Sequence, residues 1–283
     1  MRANVTQYDL IAPATLAATL ATLAEGRHTP IAGGTELMVA LSAGRLPLKP
    51  LLSINHLTEL RFIEAAPEQI TIGAGTTFTD LRKHPVITGD FPLLAQAASW
   101  TGSIANQNRG TLGGNIVNAS PAADSPPALL LYDAELTLIS STGQRTIPYS
   151  SFHLGYKKTA LRPDELVHSI TLKRNYSGYK TYIRKVGTRN AQAISKVVIA
   201  GLARVQNGVI EEIRIAAASL RETPARLTAT EQYLNGKQIT ATTIAAARAV
   251  LLSEIAPIDD IRSTAKYRSA VAANLLEEFL LQL

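Results

Sequence analysis

The sequence predicts an α+β protein in which a two-part domain, residues 1–176, precedes a smaller C-terminal α+β domain, residues 177–283. Three observations lead there. The 283 residues, 46% of them hydrophobic and 18% charged, suffice for about two domains of roughly 150 residues each. Up to about residue 56 short helical and strand periodicities alternate, as in a compact α/β unit, and a second unit runs from 57 to 176. Beyond about residue 177 the pattern becomes a long hairpin followed by three helical stretches.

Each element has a local reason. In PATLAATLATLAEG, Leu16, Leu20, Leu23 and Ala24 fall on one face before Gly26, which predicts a helix over 14–25. TPIAGG reads as a short strand running into a glycine turn, TELMVALSAG as a helix closed by Gly44, and LLSI as a buried strand. RFIEA and QITIGAG form a hairpin around Pro67-Glu68. TTFTDLRKH and FPLLAQAASW are helical, Asp124 stands at a helix N-cap with Pro126 and Pro127 in the first turn, and ELTLIS and ELVHSITLKR are strands. Lys196–Arg204 and Val209–Ala216 alternate around Asn207-Gly208, a strong hairpin signal. TPARLTATEQYLNG, TATTIAAARAVLLSEIAP and STAKYRSAVAANLLEEFLLQL complete the chain as helices.

Composition removes several function classes. With no cysteine, the chain has no disulfide, thiol nucleophile or cysteine-held cluster, so redox chemistry requires an organic cofactor. The formal charge is +6, but the basic residues are scattered and Arg82-Lys83, Lys157-Lys158 and Lys173-Arg174 are only pairs. No nucleic-acid partner is expected. His28, His56, His84, His153 and His168 lack metal-ligand spacing. The N-terminal MRANVTQYDLIAPATL lacks a basic region followed by an apolar block, and no apolar run approaches the ~20 residues of a membrane span. A cytoplasmic location without membrane contact is the expectation.

The stretch NRGTLGGNIVNASPAADSPPALL, residues 108–130, poses the functional question. Gly110, Gly113 and Gly114 suggest positive φ angles or a close approach by a ligand or another segment. Gly33-Gly34 forms a comparable loop, and both loops suit backbone N–H groups aimed at phosphate. Neither has the lysine of a P-loop or the three-glycine spacing of a Rossmann turn. On the glycines alone, two structural turns and one shared ligand remain equally open.

Four ordered blocks go further: IAGGTEL at 31–37, TLGGNIVNASPAAD at 111–124, FHLGYKKTALRPDEL at 152–166 and YIRKVGTRNAQAISKV at 182–197. They resemble the FAD-binding subunit of molybdenum hydroxylases, the family of xanthine and carbon monoxide dehydrogenase medium subunits, and DIRSTAKYR at 260–268 resembles that family's C-terminal segment. The resemblance implies an FAD domain of the vanillyl-alcohol oxidase type (PCMH type), with non-covalent FAD between two subdomains and its pyrophosphate against both glycine loops. By matching position, Ile31, Ala32, Gly33, Gly34, Thr35, Glu36 and Leu37 form the first wall, and Thr111, Gly113, Gly114 and Asn115 the second. Asp124 matches a carboxylate that binds the sugar-like portion, Val167 an apolar residue beside flavin or adenine, and Lys185 a cation near the pyrimidine edge of the flavin, where it would favour the reduced ring. Thr101, next to Trp100, stands where NAD-using relatives can place an aromatic side chain; a threonine cannot stack, so Tyr156 is the candidate substitute.

The implied function is electron transfer in a heteromeric complex. Electrons come from a molybdopterin large subunit through an iron–sulfur small subunit with 2Fe-2S clusters, and leave to NAD⁺, oxygen or another acceptor. Both metal cofactors belong to the partners. The alternative, a stand-alone FAD oxidoreductase acting on a small substrate, needs a catalytic acid or base over the ring, and the sequence offers no convincing one.

Overall fold

The computed structural model describes residues 5–189 and 192–283; Asn190 and Ala191 of the fourth block lie outside them. A small parallel sheet opens the chain, with Leu51–Ser53 between Leu10–Ile11 and Thr29–Ile31. Thr15 caps the helix Leu16–Leu23 by accepting from the Ala18 N–H. Leu20, Leu23 and Leu52 then pack on Ile139 and Leu166, which fastens this unit to the next one.

The second unit is a five-stranded antiparallel sheet, in the order Ile63–Ala65, Gln69–Gly73, Leu166–Lys173, Glu135–Ser140, Gly143–Pro148. The hairpin around Pro67-Glu68 forms as expected. Helices Phe78–Lys83, Pro92–Trp100, Leu112–Asn118 and Ser125–Leu131 contribute buried side chains to the same core as Ile70, Ile72, Leu136 and Ile170. Thr77 and Asp80 form a capping box that starts the first of these helices.

In the third unit, Val197–Gln206 lies between Lys180–Val186 and Val209–Ala218 in an antiparallel sheet finished by Ala225–Arg226. Asn207 and Gly208 have φ of 51° and 76°, the two left-handed residues of a tight hairpin turn. The strand after the fourth block does not alternate inside and outside: Val197 to Ala203 are all buried. Val197, Ile199 and Ala203 face helices Thr228–Leu234, Ala241–Glu254 and Ala265–Leu281, whereas Ala200 and Leu202 join the core of the second unit. A strand covered on both faces has no polar side, which is why its run of apolar residues is continuous. Among the described residues no helix is long and apolar enough to cross a membrane.

Gly201 is fixed by this arrangement. A Cβ there would lie 2.2 Å from the Phe279 ring, which stacks on Tyr182 with centroids 5.1 Å apart. Gly201→Ala should therefore lower unfolding stability by about 1–3 kcal/mol, and adding Phe279→Leu should make the pair less damaging than the sum of the single changes. Denaturant melts of the four proteins check this; strict additivity would contradict the contact.

Candidate functional site

The glycines of the second loop have a structural explanation first. Segment 110–113 is stitched to 74–78: Phe78 N–H donates to Gly110 O, Leu112 N–H to Thr76 O and Gly113 N–H to Ala74 O, the last at 2.9 Å. A Cβ on Gly113 would meet Ala74 Cβ at 2.5 Å, so this glycine is required by chain packing. None of Gly110, Gly113 and Gly114 has a positive φ, which corrects that part of the expectation. Thr111 caps the helix Leu112–Asn118 by accepting from Gly114 N–H at 3.1 Å, and Asn115 N–H donates to Thr111 O. The N–H groups of Gly113, Gly114 and Asn115 are thus consumed inside the chain.

The first loop differs. Gly34 has φ of 74°, a turn conformation open to glycine, and its carbonyl accepts from Met38 N–H. A Cβ on Gly33 would sit 1.8 Å from Arg109 O, and one on Gly110 would lie 3.5 Å from Thr35 Oγ1. The two glycine loops therefore meet backbone to backbone, although 76 positions separate Gly33 from Arg109. Among the described residues the N–H groups of Gly33, Gly34, Thr35 and Glu36 have no hydrogen-bond acceptor within the chain. Four consecutive backbone donors are thus open on this loop, and Gly114 of the second loop is exposed. Ile31, Ala32 and Leu37 are half-buried around the first loop, and Lys157 Nζ lies 3.8 Å from Glu36 Oε1 while bonding Asn118 Oδ1 at 2.7 Å. The side chain of Asn115 turns to Ser125, whose Oγ donates to its Oδ1 at 2.6 Å.

A second cluster lies where three elements converge. Asp124 occupies the N-cap position of Ser125–Leu131, but its backbone is helical and its carboxylate makes no capping bond. Instead Oδ2 accepts from Lys185 Nζ at 2.5 Å and Oδ1 from Ser195 Oγ at 2.6 Å. The Asp124 and Lys185 side chains are only 8% and 12% exposed, so Lys185 is not a solvated strand lysine. Its ammonium also donates to Trp100 O at the C-terminal end of the helix Pro92–Trp100, where unpaired carbonyls favour a cation. Burial pushes the Asp124 carboxyl up, opposed by the Lys185 ammonium and the Ser195 hydroxyl. Thr101 follows Trp100 and spends its hydroxyl on Ala97 O at 2.9 Å. Val167 is 5% exposed within the main core, and Tyr156 is exposed in the turn between His153–Gly155 and Lys158–Thr159.

The structure thus brings Asp124, Lys185 and the end of the Trp100 helix together, and the two glycine loops together. Sequence reasoning assigned Asp124 and Lys185 separate duties and missed Ser195, which is 1% exposed. Its only signal was membership of the fourth block. The Asp124–Lys185 pair yields a stability prediction, because removing one partner strands a buried charge at a cost of about 3–5 kcal/mol. Lys185→Met should destabilise the cofactor-free chain by that order, and Asp124→Asn added to it should recover part of the loss. Urea unfolding of both variants measures this; no recovery would argue against the pair.

Comparison with known proteins bears on what this arrangement holds. Residues 6–172 match the family described as the FAD binding domain in molybdopterin dehydrogenase, and residues 182–283 match the CO dehydrogenase flavoprotein C-terminal domain. The chain is 32% identical to a xanthine dehydrogenase FAD-binding subunit of Escherichia coli over 90% of its own length and 88% of that protein. It is 29% identical to the carbon monoxide dehydrogenase medium chain of Hydrogenophaga pseudoflava, covering 88% of this chain and 87% of that one. A solved structure of the Hydrogenophaga pseudoflava carbon monoxide dehydrogenase superposes with a TM-score of 0.91 at 28% identity, over 96% and 95% of the two chains.

Proposed function

The chain belongs to the FAD-binding subunits of the molybdenum hydroxylases, and from that premise we propose that it is the electron-transfer subunit of a heteromeric hydroxylating complex. In this reading an iron–sulfur small subunit supplies electrons that originate at a molybdopterin large subunit, and NAD⁺, oxygen or another acceptor receives them. When bound, FAD supplies the chemistry of accepting electrons singly and releasing them as a pair. The absence of cysteine leaves the clusters to a partner. The division we adopt is an FAD domain at 1–176, with subdomains at about 1–56 and 57–176, and a C-terminal domain at 177–283.

The observation that carries the reading is the run of open N–H donors from Gly33 to Glu36. They bind the FAD pyrophosphate, while exposed Gly114 leaves room for it from the other side. Gly33 sets the spacing, since a side chain there would push the loops apart. Thr35 and Asn115 add side-chain polarity, and Thr111 holds the second loop rigid through its cap. Asp124 retains free acceptor capacity on each oxygen for cofactor hydroxyls, and Lys185 contributes as one half of an ion pair.

The purified chain, supplied with FAD, should hold one FAD without a covalent bond, and acid precipitation should release the yellow chromophore into the supernatant. Flavin that stays with the denatured pellet would contradict non-covalent binding. Co-expression with iron–sulfur and molybdopterin subunits should give one complex whose reduced flavin is reoxidised by NAD⁺ or oxygen. A chain that turns over a small substrate unaided would instead support a stand-alone oxidoreductase.

A further inference from the structure

The C-terminal segment DIRSTAKYR is not explained by packing alone, because its Arg268 is a charged residue only 4% exposed. Its guanidinium grips the open end of the central hairpin: Nη1 donates to Lys196 O at 2.7 Å and to Ser219 O at 3.3 Å. Those carbonyls belong to the residues just before Val197–Gln206 and just after Val209–Ala218. Nη2 donates to Asp260 Oδ1 at 2.7 Å, which balances the buried cation. Asp260 is itself fixed by a turn, accepting from the N–H groups of Arg262 at 2.8 Å and Ser263 at 3.0 Å. Burial acts to raise the Asp260 carboxyl, but these N–H groups and the Arg268 and Arg262 side chains hold it at about 2, so it remains an anion.

The far side of the same hairpin mouth touches the FAD-binding unit. Ser219, held at φ of 65°, donates its N–H to Pro121 O at 2.8 Å and its hydroxyl to Ser195 O at 2.9 Å. Ser195 Oγ then reaches Asp124 Oδ1, whose other oxygen holds Lys185. An unbroken polar path therefore runs from Asp260 through Arg268, Ser219 and Ser195 to Asp124 and Lys185. Every link is buried or half-buried, and each fixes an acceptor or donor of the next.

We propose that Arg268, neutralised by Asp260, is a positioning residue for the cofactor site, clamping the hairpin mouth so that Ser195 and Ser219 hold the segment 121–124 and the Asp124–Lys185 pair in binding geometry. The inference rests on the reading of Asp124 and Lys185 as cofactor-site residues, and it assigns the C-terminal domain a role in FAD binding. Arg268 touches no cofactor in this account; it acts through Ser195 and Ser219. Lysine at 268 keeps the charge but cannot reach three acceptors with a rigid fork.

The test uses the full chain titrated with FAD, with stability measured separately without cofactor. Arg268→Met and the milder Asp260→Asn should each weaken FAD binding by about tenfold or more, and Arg268→Lys should restore part of it. The visible circular dichroism of bound flavin should change in the same variants. In a Ser195→Ala background, Arg268→Met should weaken binding far less than it does alone, because the path is already cut. Equal FAD affinity and unchanged flavin dichroism in Arg268→Met and Asp260→Asn would overturn the inference while leaving the flavoprotein reading intact, as would a full additive loss in the Ser195→Ala background. A wild-type chain that takes up no FAD would overturn both.

Discussion

The contact on which the rest of the site depends is the approach of Gly33 to the Arg109 carbonyl. No side chain fits between them, since a Cβ would sit 1.8 Å from that oxygen. The contact joins the small parallel unit to the larger antiparallel one at the point where both present bare backbone. In the proposed FAD site, this fixed backbone junction holds the open donors of Gly33 to Glu36 in place before any ligand arrives. Preorganisation of this kind reduces the ordering cost that binding would otherwise carry.

The two glycine loops are unlike each other. The second loop has spent the N–H groups of Leu112 to Asn115 on Thr76, Ala74 and Thr111, and its Gly114 is exposed. The first loop keeps its N–H groups open from Gly33 to Glu36. In the FAD site we propose, this asymmetry divides the work: one loop offers hydrogen bonds, the other offers shape. Behind them, Asp124 and Lys185 tie the start of one helix to the end of another, and they tie both to the C-terminal sheet. The family's characteristic C-terminal domain is thus built into the electrostatics of the FAD unit.

Much of this was legible in the sequence where the cause is local. Asn207-Gly208 can form few structures other than a tight hairpin, and the spacing of Leu16, Leu20 and Leu23 marks the first helix, Leu16–Leu23. The glycine pairs were legible as special positions, but not why they are special: Gly113 answers to Ala74, 39 positions away, and Gly33 to Arg109. Asp124 shows the limit most clearly. Its sequence neighbourhood reads as a helix cap, and its carboxylate instead serves partners 61 and 71 positions distant. A strand buried on both faces, as at Val197–Gln206, likewise hides the alternation from which strands are recognised. In each case the missing information is tertiary.

Amide hydrogen exchange resolved to single residues tests the central claim most directly, because it reads the donors themselves. In the FAD-free chain the N–H groups of Gly33, Gly34, Thr35 and Glu36 should exchange quickly, while those of Gly113, Gly114 and Asn115 are already protected by their internal acceptors. Saturating FAD should slow exchange at the first set by an order of magnitude or more and change the second set little. Protection that appears instead at Gly113 to Asn115, with Gly33 to Glu36 unaffected, would contradict the account.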